Sequence, residues 1–211
     1  MNINDYFQKI YLITSYHTKD RLEDTYKHLN DNDIYPELFV APLKNHFFPT
    51  SFLGFLIPSG TLSLKCAYVQ LFQKCIIENT KTALFIEDDI ILKDGWKSKI
   101  QTKWFTDPDW YILRDGPETH FFGMTIQAMR DYLNRFALDS FPIDLSLTRL
   151  QHFKTTGKFV FNDLIKPINT EEHEASKKDE TFTTQKSVKW ERKYNCTTAI
   201  NTPEERIHLK F

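Results

Sequence analysis

The chain has 211 residues, 41% hydrophobic and 15% aromatic, a composition that fits a globular domain and excludes a disordered polymer. Its 27 basic and 28 acidic residues give a formal net charge of −1, which excludes the basic footprint of a nucleic-acid binder. Six glycines argue against a Gly-rich phosphate loop, and three cysteines without a CxxC spacing argue against a disulfide framework or a structural zinc site.

No apolar run approaches the ~20 residues of a transmembrane helix. Met1-Asn2-Ile3-Asn4-Asp5 carries no basic n-region and no signal core, so a soluble, cytoplasmic protein is expected. From Lys9 to Thr14 a β-branched and aromatic run predicts a buried strand. After the polar stretch Ser15 to Asp20, Arg21 to Leu29 has helical character and runs into the turn residues Asn30-Asp31-Asn32-Asp33. Glu37 to Ala41 predicts a second strand, so the chain opens β-α-β, as an α/β fold does.

Residues 43 to 62 read as irregular, broken by Pro49, Pro58 and Gly60. Leu64, Ala67, Tyr68, Leu71, Phe72, Cys75 and Ile76 then recur at helical spacing and make one apolar face, with the helix ending near Asn79. Cys66 and Cys75 fall inside it as buried thiols. Thr82 to Ile86 predicts a strongly apolar strand that runs straight into Glu87-Asp88-Asp89, and Ile90 to Leu92 resume the apolar character before a turn at Lys93-Asp94-Gly95. Strands at Trp110 to Leu113 and His120 to Met124, a helix from Ile126 to Phe136, a helical Leu145 to Leu150, and extended segments at Phe159 to Phe161 and Leu164-Ile165 follow. From Glu171 to Lys189 charge and Thr replace apolar residues, as in a mobile segment or a loop that orders on a ligand. The whole, 1–211, reads as one α/β domain with a polar segment around 170–190.

Three acids at the end of an apolar strand are the main chemical feature. Side chains alternate along an extended chain, so Glu87 and Asp89 point one way and Asp88 the other. Carboxyl ends of strands in open α/β sheets are where ligands bind, and two carboxylates on one face can hold a divalent cation. Such a cation neutralises the charge that builds on a nucleoside-diphosphate leaving group. The plain alternative is that three acids solvate a turn. Apolar residues on both sides weigh against it, because desolvating carboxylates without a cation is costly.

Ala83-Leu84-Phe85-Ile86-Glu87-Asp88-Asp89-Ile90-Ile91-Leu92, preceded by a helix and a short polar connector, resembles the family 25 glycosyltransferases, which include lipopolysaccharide-type and collagen-type galactosyltransferases. The first strand with Lys19-Asp20-Arg21, the pair Cys66-Ala67, and Pro142-Ile143-Asp144 resemble further elements of that family, so the likeness touches residues 9 to 175 in patches. Val69-Gln70 stand where the family has Ser-His, and Lys65 where it has Gly.

The resemblance implies a GT-A-like domain, with a central mixed, mostly parallel sheet flanked by helices. It implies sugar transfer from a nucleotide-diphosphate donor, a UDP-sugar foremost, to a hydroxyl acceptor on a glycan, glycoprotein or glycolipid, with inversion. It implies Mn²⁺ or Mg²⁺ held by Asp89 and Glu87, with a late histidine, His173, as a further candidate ligand. Glu87 or Asp88 would contact the ribose or the metal, and Thr14 to Arg21 would line the nucleotide pocket, with Arg21 at the pyrophosphate or solvated at the helix start. Asp144 would be the general base, or else a helix N-cap. Asp115, Glu118 and His120 could meet the acceptor or solvate a loop, and Asp163 is a second candidate base. Trp96 and Trp104 could stack on a sugar or simply pack. The chain's size also permits a place in a larger, multi-domain enzyme. Two other readings use the same residues: a metal-dependent nucleotidyl or phosphoryl transferase with added carboxylates, and a non-catalytic nucleotide-binding module, which the absent Ser-His pair favours.

Overall fold

A computed structural model describes residues 2–15, 18–41, 59–100, 110–115, 119–139, 141–155, 160–161, 164–167 and 197–198. After a short 3-10 turn at Ile3–Asp5 come β1 (Lys9–Thr14), α1 (Lys19–Asp31), β2 (Glu37–Val40), α2 (Ser59–Ile77), β3 (Thr82–Glu87), β4 (Ile90–Leu92) and α3 (Trp96–Lys99). Then follow β5 (Ile112–Asp115), β6 (Phe121–Thr125), α4 (Ile126–Phe136), α5 (Ile143–Thr155), β7 (Val160–Phe161), β8 (Ile165–Pro167) and β9 (Thr197–Thr198).

Seven strands form one sheet in the order β7-β5-β6-β3-β1-β2-β9, and β4 pairs with β8 in a second, small sheet. Strand β1 runs parallel to β2 and β3, β2 to β9, and β5 to β7, whereas β6 is antiparallel to β3 and β5. The α/β class with a mixed, mostly parallel sheet is therefore the architecture observed. No helix among the described residues is long and apolar enough to cross a membrane.

Both faces of the sheet are covered, which is why β1 and β3 read as continuous apolar runs rather than alternating ones. On one face Leu12, Leu38, Leu84 and Ile86 pack with Leu22 and Leu29 of α1 and with Ile90 and Ile165 of the small sheet. On the other, Tyr11, Phe39, Phe85 and Phe122 pack under Tyr68 and Phe72 of α2, Tyr132 of α4 and Leu147 of α5.

Both long N-terminal helices stop by the same device. Asp33 (φ 62°) and Asn79 (φ 54°) take the left-handed conformation just past the ends of α1 and α2. The next residues, Ile34 and Thr80, donate back to the Leu29 and Cys75 carbonyls at 2.9 and 2.8 Å, satisfying carbonyls that the helix itself leaves open.

Two boundaries differ from the sequence expectation. Helix α2 begins at Ser59, inside the stretch expected to be irregular. Pro58 lies just before it and Gly60 in its first turn, where a helix tolerates both because the first N–H groups have no intrahelical partner. Strand β5 runs two residues later than expected and includes Arg114 and Asp115, both buried. Each makes hydrogen bonds inside the fold, Arg114 Nη1 to the Thr148 hydroxyl and Asp115 Oδ2 from the Leu164 and Ile165 amides, so charge does not end the strand.

Candidate functional site

Parallel pairing of β1 and β3 brings Thr14 and Glu87 to one edge of the sheet, the carboxyl edge. Strand β5 is antiparallel to β6 and β6 to β3, so β5 also ends there, and the chain enters β6 there through Thr119 and His120. The β3–β6 register pairs Ile86 with Phe121, so His120 lies opposite Glu87, whose amide donates to the His120 carbonyl at 2.9 Å.

The three consecutive acids have different surroundings. Asp88 turns toward α1, where it accepts hydrogen bonds from the Thr14 hydroxyl, the Thr18 hydroxyl (2.5 Å) and Arg21 Nη2. Its amide donates to the Ile13 carbonyl at 3.1 Å, and its own carbonyl accepts from the Thr25 hydroxyl at 2.8 Å. Thr18 occupies the N-cap position of α1 without capping it, because its hydroxyl serves Asp88 instead. The carboxylate itself supplies negative charge at that helix N-terminus, which favours it. Burial still pushes the Asp88 carboxyl upward, and Arg21, Thr14 and Thr18 counter only part of this. Thr14 and Arg21, the sequence candidates for the nucleotide pocket, are thus the partners of Asp88. Arg21 also reaches toward Asp89, with Nη1 4.0 Å from Oδ2.

Glu87 and Asp89 turn to the other side and converge with His120. One ligand atom from each of the three lies within 4.8 Å of the others. His120 Nδ1 is 2.9 Å from Asp89 Oδ1 and 3.5 Å from Glu87 Oε2. The second oxygen of Glu87, Oε1, accepts from the Tyr68 hydroxyl at 2.8 Å and from the Thr119 hydroxyl. Burial pushes the Glu87 carboxyl above its usual range, and the charge of Asp89 adds to the effect. Burial acts upward on Asp89 too, but the hydrogen bond and charge of His120, with help from Arg21, hold it below the ordinary value. Two carboxylates and an imidazole this close, one of the acids disfavoured as an anion by the other, form a donor set that a divalent cation fits.

Asp144 sits in the first turn of α5, inside the helix rather than at its N-cap. Its carbonyl accepts from the Thr148 hydroxyl at 2.9 Å. The same hydroxyl accepts from Arg114 Nη1 at 2.7 Å. The Arg114 guanidinium is buried, which pushes its pKa down to about 10, and the charge of Asp144 counters part of this.

The remaining candidates are placed elsewhere or not at all. The Asp115 carboxylate accepts from the Leu164 and Ile165 amides, both at 2.8 Å, a structural task that anchors the start of β8. Trp96 is packed in the core with its Nε1 on Asn32 Oδ1 at 3.0 Å, so it offers no stacking face. His173, Asp163, Glu118 and Trp104 lie outside the described residues.

Hydropathy cannot find the two residues that complete the cluster. His120 was a candidate for the acceptor, but only the antiparallel register of β6 sets it against Glu87. Tyr68 belongs to the apolar face of α2 by its spacing, and its hydroxyl is a polar tip on an otherwise core residue.

No family profile matches the chain, and no curated protein matches it in sequence. Among solved structures it is similar to a glycosyltransferase involved in the glycosylation of the major capsid of PBCV-1, at 10% identity and a TM-score of 0.39, over 73% of this chain and 81% of that one. It is similar to mannose-1-phosphate geranyltransferase from Thermus thermophilus, at 8% identity and a TM-score of 0.40, over 75% of this chain and 74% of that one. It is also similar to A197 from STIV, at 10% identity and a TM-score of 0.37, over 76% of this chain and 94% of that one. Likeness at this level says nothing of chemistry, which rests on the site itself.

Proposed function

We propose that this chain is a GT-A-type glycosyltransferase, moving a sugar from a nucleoside-diphosphate donor to a hydroxyl acceptor with a divalent cation at Glu87, Asp89 and His120. One observation carries the reading: the convergence of these three donors within 4.8 Å at the carboxyl edge of the parallel strands. A bound cation supplies neutralisation of the charge that develops on the diphosphate as the anomeric bond breaks.

The chain's own residues have separable tasks in this proposal. Glu87 and Asp89 hold the ion through oxygen, and His120 through Nδ1. That nitrogen favours Mn²⁺ over Mg²⁺, which prefers oxygen and water. His173 is proposed as a further ligand. Asp88 takes no part in ligation; it fixes the start of α1 against the acid loop through Thr14, Thr18 and Arg21. The segment Thr14 to Arg21 is proposed to line the nucleotide pocket, with Arg21 sharing its charge with the donor. Asp144 is the proposed general base for the acceptor hydroxyl, in an inverting displacement, and a UDP-sugar is the proposed donor. Asp115 Oδ2 accepts from two backbone amides, so that oxygen does not serve the second metal that a two-metal phosphoryl transferase needs.

The test is calorimetric binding and slow hydrolysis over a panel of UDP- and GDP-sugars, with and without Mn²⁺, on wild type and Asp89→Asn. Metal-dependent binding with release of free sugar, both lost in the variant, supports the proposal and names the donor. Cleavage between the phosphates would move it to phosphoryl transfer. Binding indifferent to metal and to Asp89 would end it in favour of a non-catalytic module.

A further inference from the structure

We infer that Tyr68, together with Thr119, is a positioning residue that restricts Glu87 to one metal-facing oxygen. This rests on the proposed cation site and concerns the side of Glu87 that faces away from it. Oε1 accepts from two hydroxyls, that of Tyr68 at 2.8 Å and that of Thr119, while Oε2 faces His120 Nδ1 at 3.5 Å. A carboxylate can chelate an ion through both oxygens or bind through one. With Oε1 held by two donors, Glu87 presents Oε2 alone. A coordination position that chelation would fill is thereby left for a diphosphate oxygen.

Tyr68 can hold that geometry because its ring is seated among other aromatic rings. The residue is completely buried, and its ring packs against Phe122 at 5.3 Å, Phe72 at 6.0 Å and Phe85 at 6.1 Å between centroids. Phe85 is two residues before Glu87 on the same face of β3, so the aromatic core that seats Tyr68 also seats the strand carrying the acid. The Thr119 carbonyl lies 3.0 Å from the same hydroxyl and shares its single proton with Glu87 Oε1. Outer groups of this kind orient metal ligands, and their loss typically costs about 10–100-fold in metal affinity.

The experiment is a titration of the full chain with Mn²⁺ and with Ca²⁺, read by Mn²⁺ electron paramagnetic resonance and calorimetry. The variants are Tyr68→Phe, Thr119→Val, Glu87→Gln and the Tyr68→Phe/Glu87→Gln pair. Tyr68→Phe should weaken Mn²⁺ binding about tenfold and shift the Ca²⁺-to-Mn²⁺ affinity ratio toward Ca²⁺, because the freed oxygen can chelate the larger ion. Thr119→Val should move both in the same direction, which keeps the test decisive if the core substitution folds poorly. In the Glu87→Gln background the Tyr68 change should add less than about twofold, since its effect runs through that carboxylate. Wild-type Mn²⁺ affinity and ion preference in both hydroxyl-deleted variants would overturn the positioning role while leaving the cation site standing. A wild type that binds no Mn²⁺ would overturn both.

Discussion

His120 and Glu87 face each other across the β3–β6 ladder, joined by the 2.9 Å backbone hydrogen bond from the Glu87 amide to the His120 carbonyl. The imidazole is thus fixed against both acids by strand pairing and not by a flexible loop. His120→Ala should therefore weaken Mn²⁺ binding by at least about tenfold, as loss of a metal-site group does. Calorimetric titration checks this, and unchanged affinity would remove His120 from the site.

Asp88 and Asp89 should fail differently when replaced. Asp88→Ala removes the carboxylate, only 4% exposed, that Arg21 and the Thr14 and Thr18 hydroxyls share. Breaking a buried pair costs about 3–5 kcal/mol, and the 19% exposure of Arg21 puts this case near the low end. Asp89→Asn should cost far less stability yet abolish metal-dependent binding. Urea unfolding of the two variants separates the roles, and equal losses would contradict the division.

Gly123 has no room for a side chain. A Cβ there would lie 2.5 and 2.7 Å from ring carbons of Phe7, which is buried and meets Trp110 edge-on at 6.1 Å. Gly123→Ala should destabilise by about 1–3 kcal/mol, the usual cost of overpacking. Adding Phe7→Leu should recover part of it in a double-mutant cycle of unfolding free energies.

The cysteines of α2 should be unreactive in the native protein. Burial pushes the Cys66 thiol up to about 11 and the Cys75 thiol up to about 12. At pH 8 that leaves roughly 10⁻³ and 10⁻⁴ as thiolate, against about a quarter for a free cysteine. Alkylation mapped by mass spectrometry should be at least about a hundredfold slower at both than in denatured chain. Rapid native labelling would show that α2 opens.

The β-α-β opening, the apolar face of α2, and the strand that delivers the acids follow from periodicity, because burial on a sheet or a helix stripe dictates where apolar residues fall. Asp88 parts from its neighbours as expected, although it and Asp89 lie in the turn after β3 and not in the strand. What periodicity does not encode is pairing between distant strands. The register that brings His120 to Glu87 is a property of two segments together, and a run such as Phe121-Phe122-Gly123-Met124 names a strand without naming its neighbour. Buried polar residues such as Arg114, Asp115 and Lys65 mislead in the same way, since hydropathy places them outside.

The hydrogen bond between Thr14 and Asp88 spans 74 residues, and that between Asp89 and His120 spans 31. At a synthesis rate of about 5–20 residues per second, β1 waits roughly 4–15 s for β3 and Asp88, its partners on the side away from β2. During that interval an apolar strand has an unpaired edge and α1 starts without its carboxylate. Non-local closure of this kind slows folding and exposes the chain to wrong partners. A newly made chain therefore holds one edge of β1 open until β3 and Asp88 arrive, and one edge of β3 open until β6 follows.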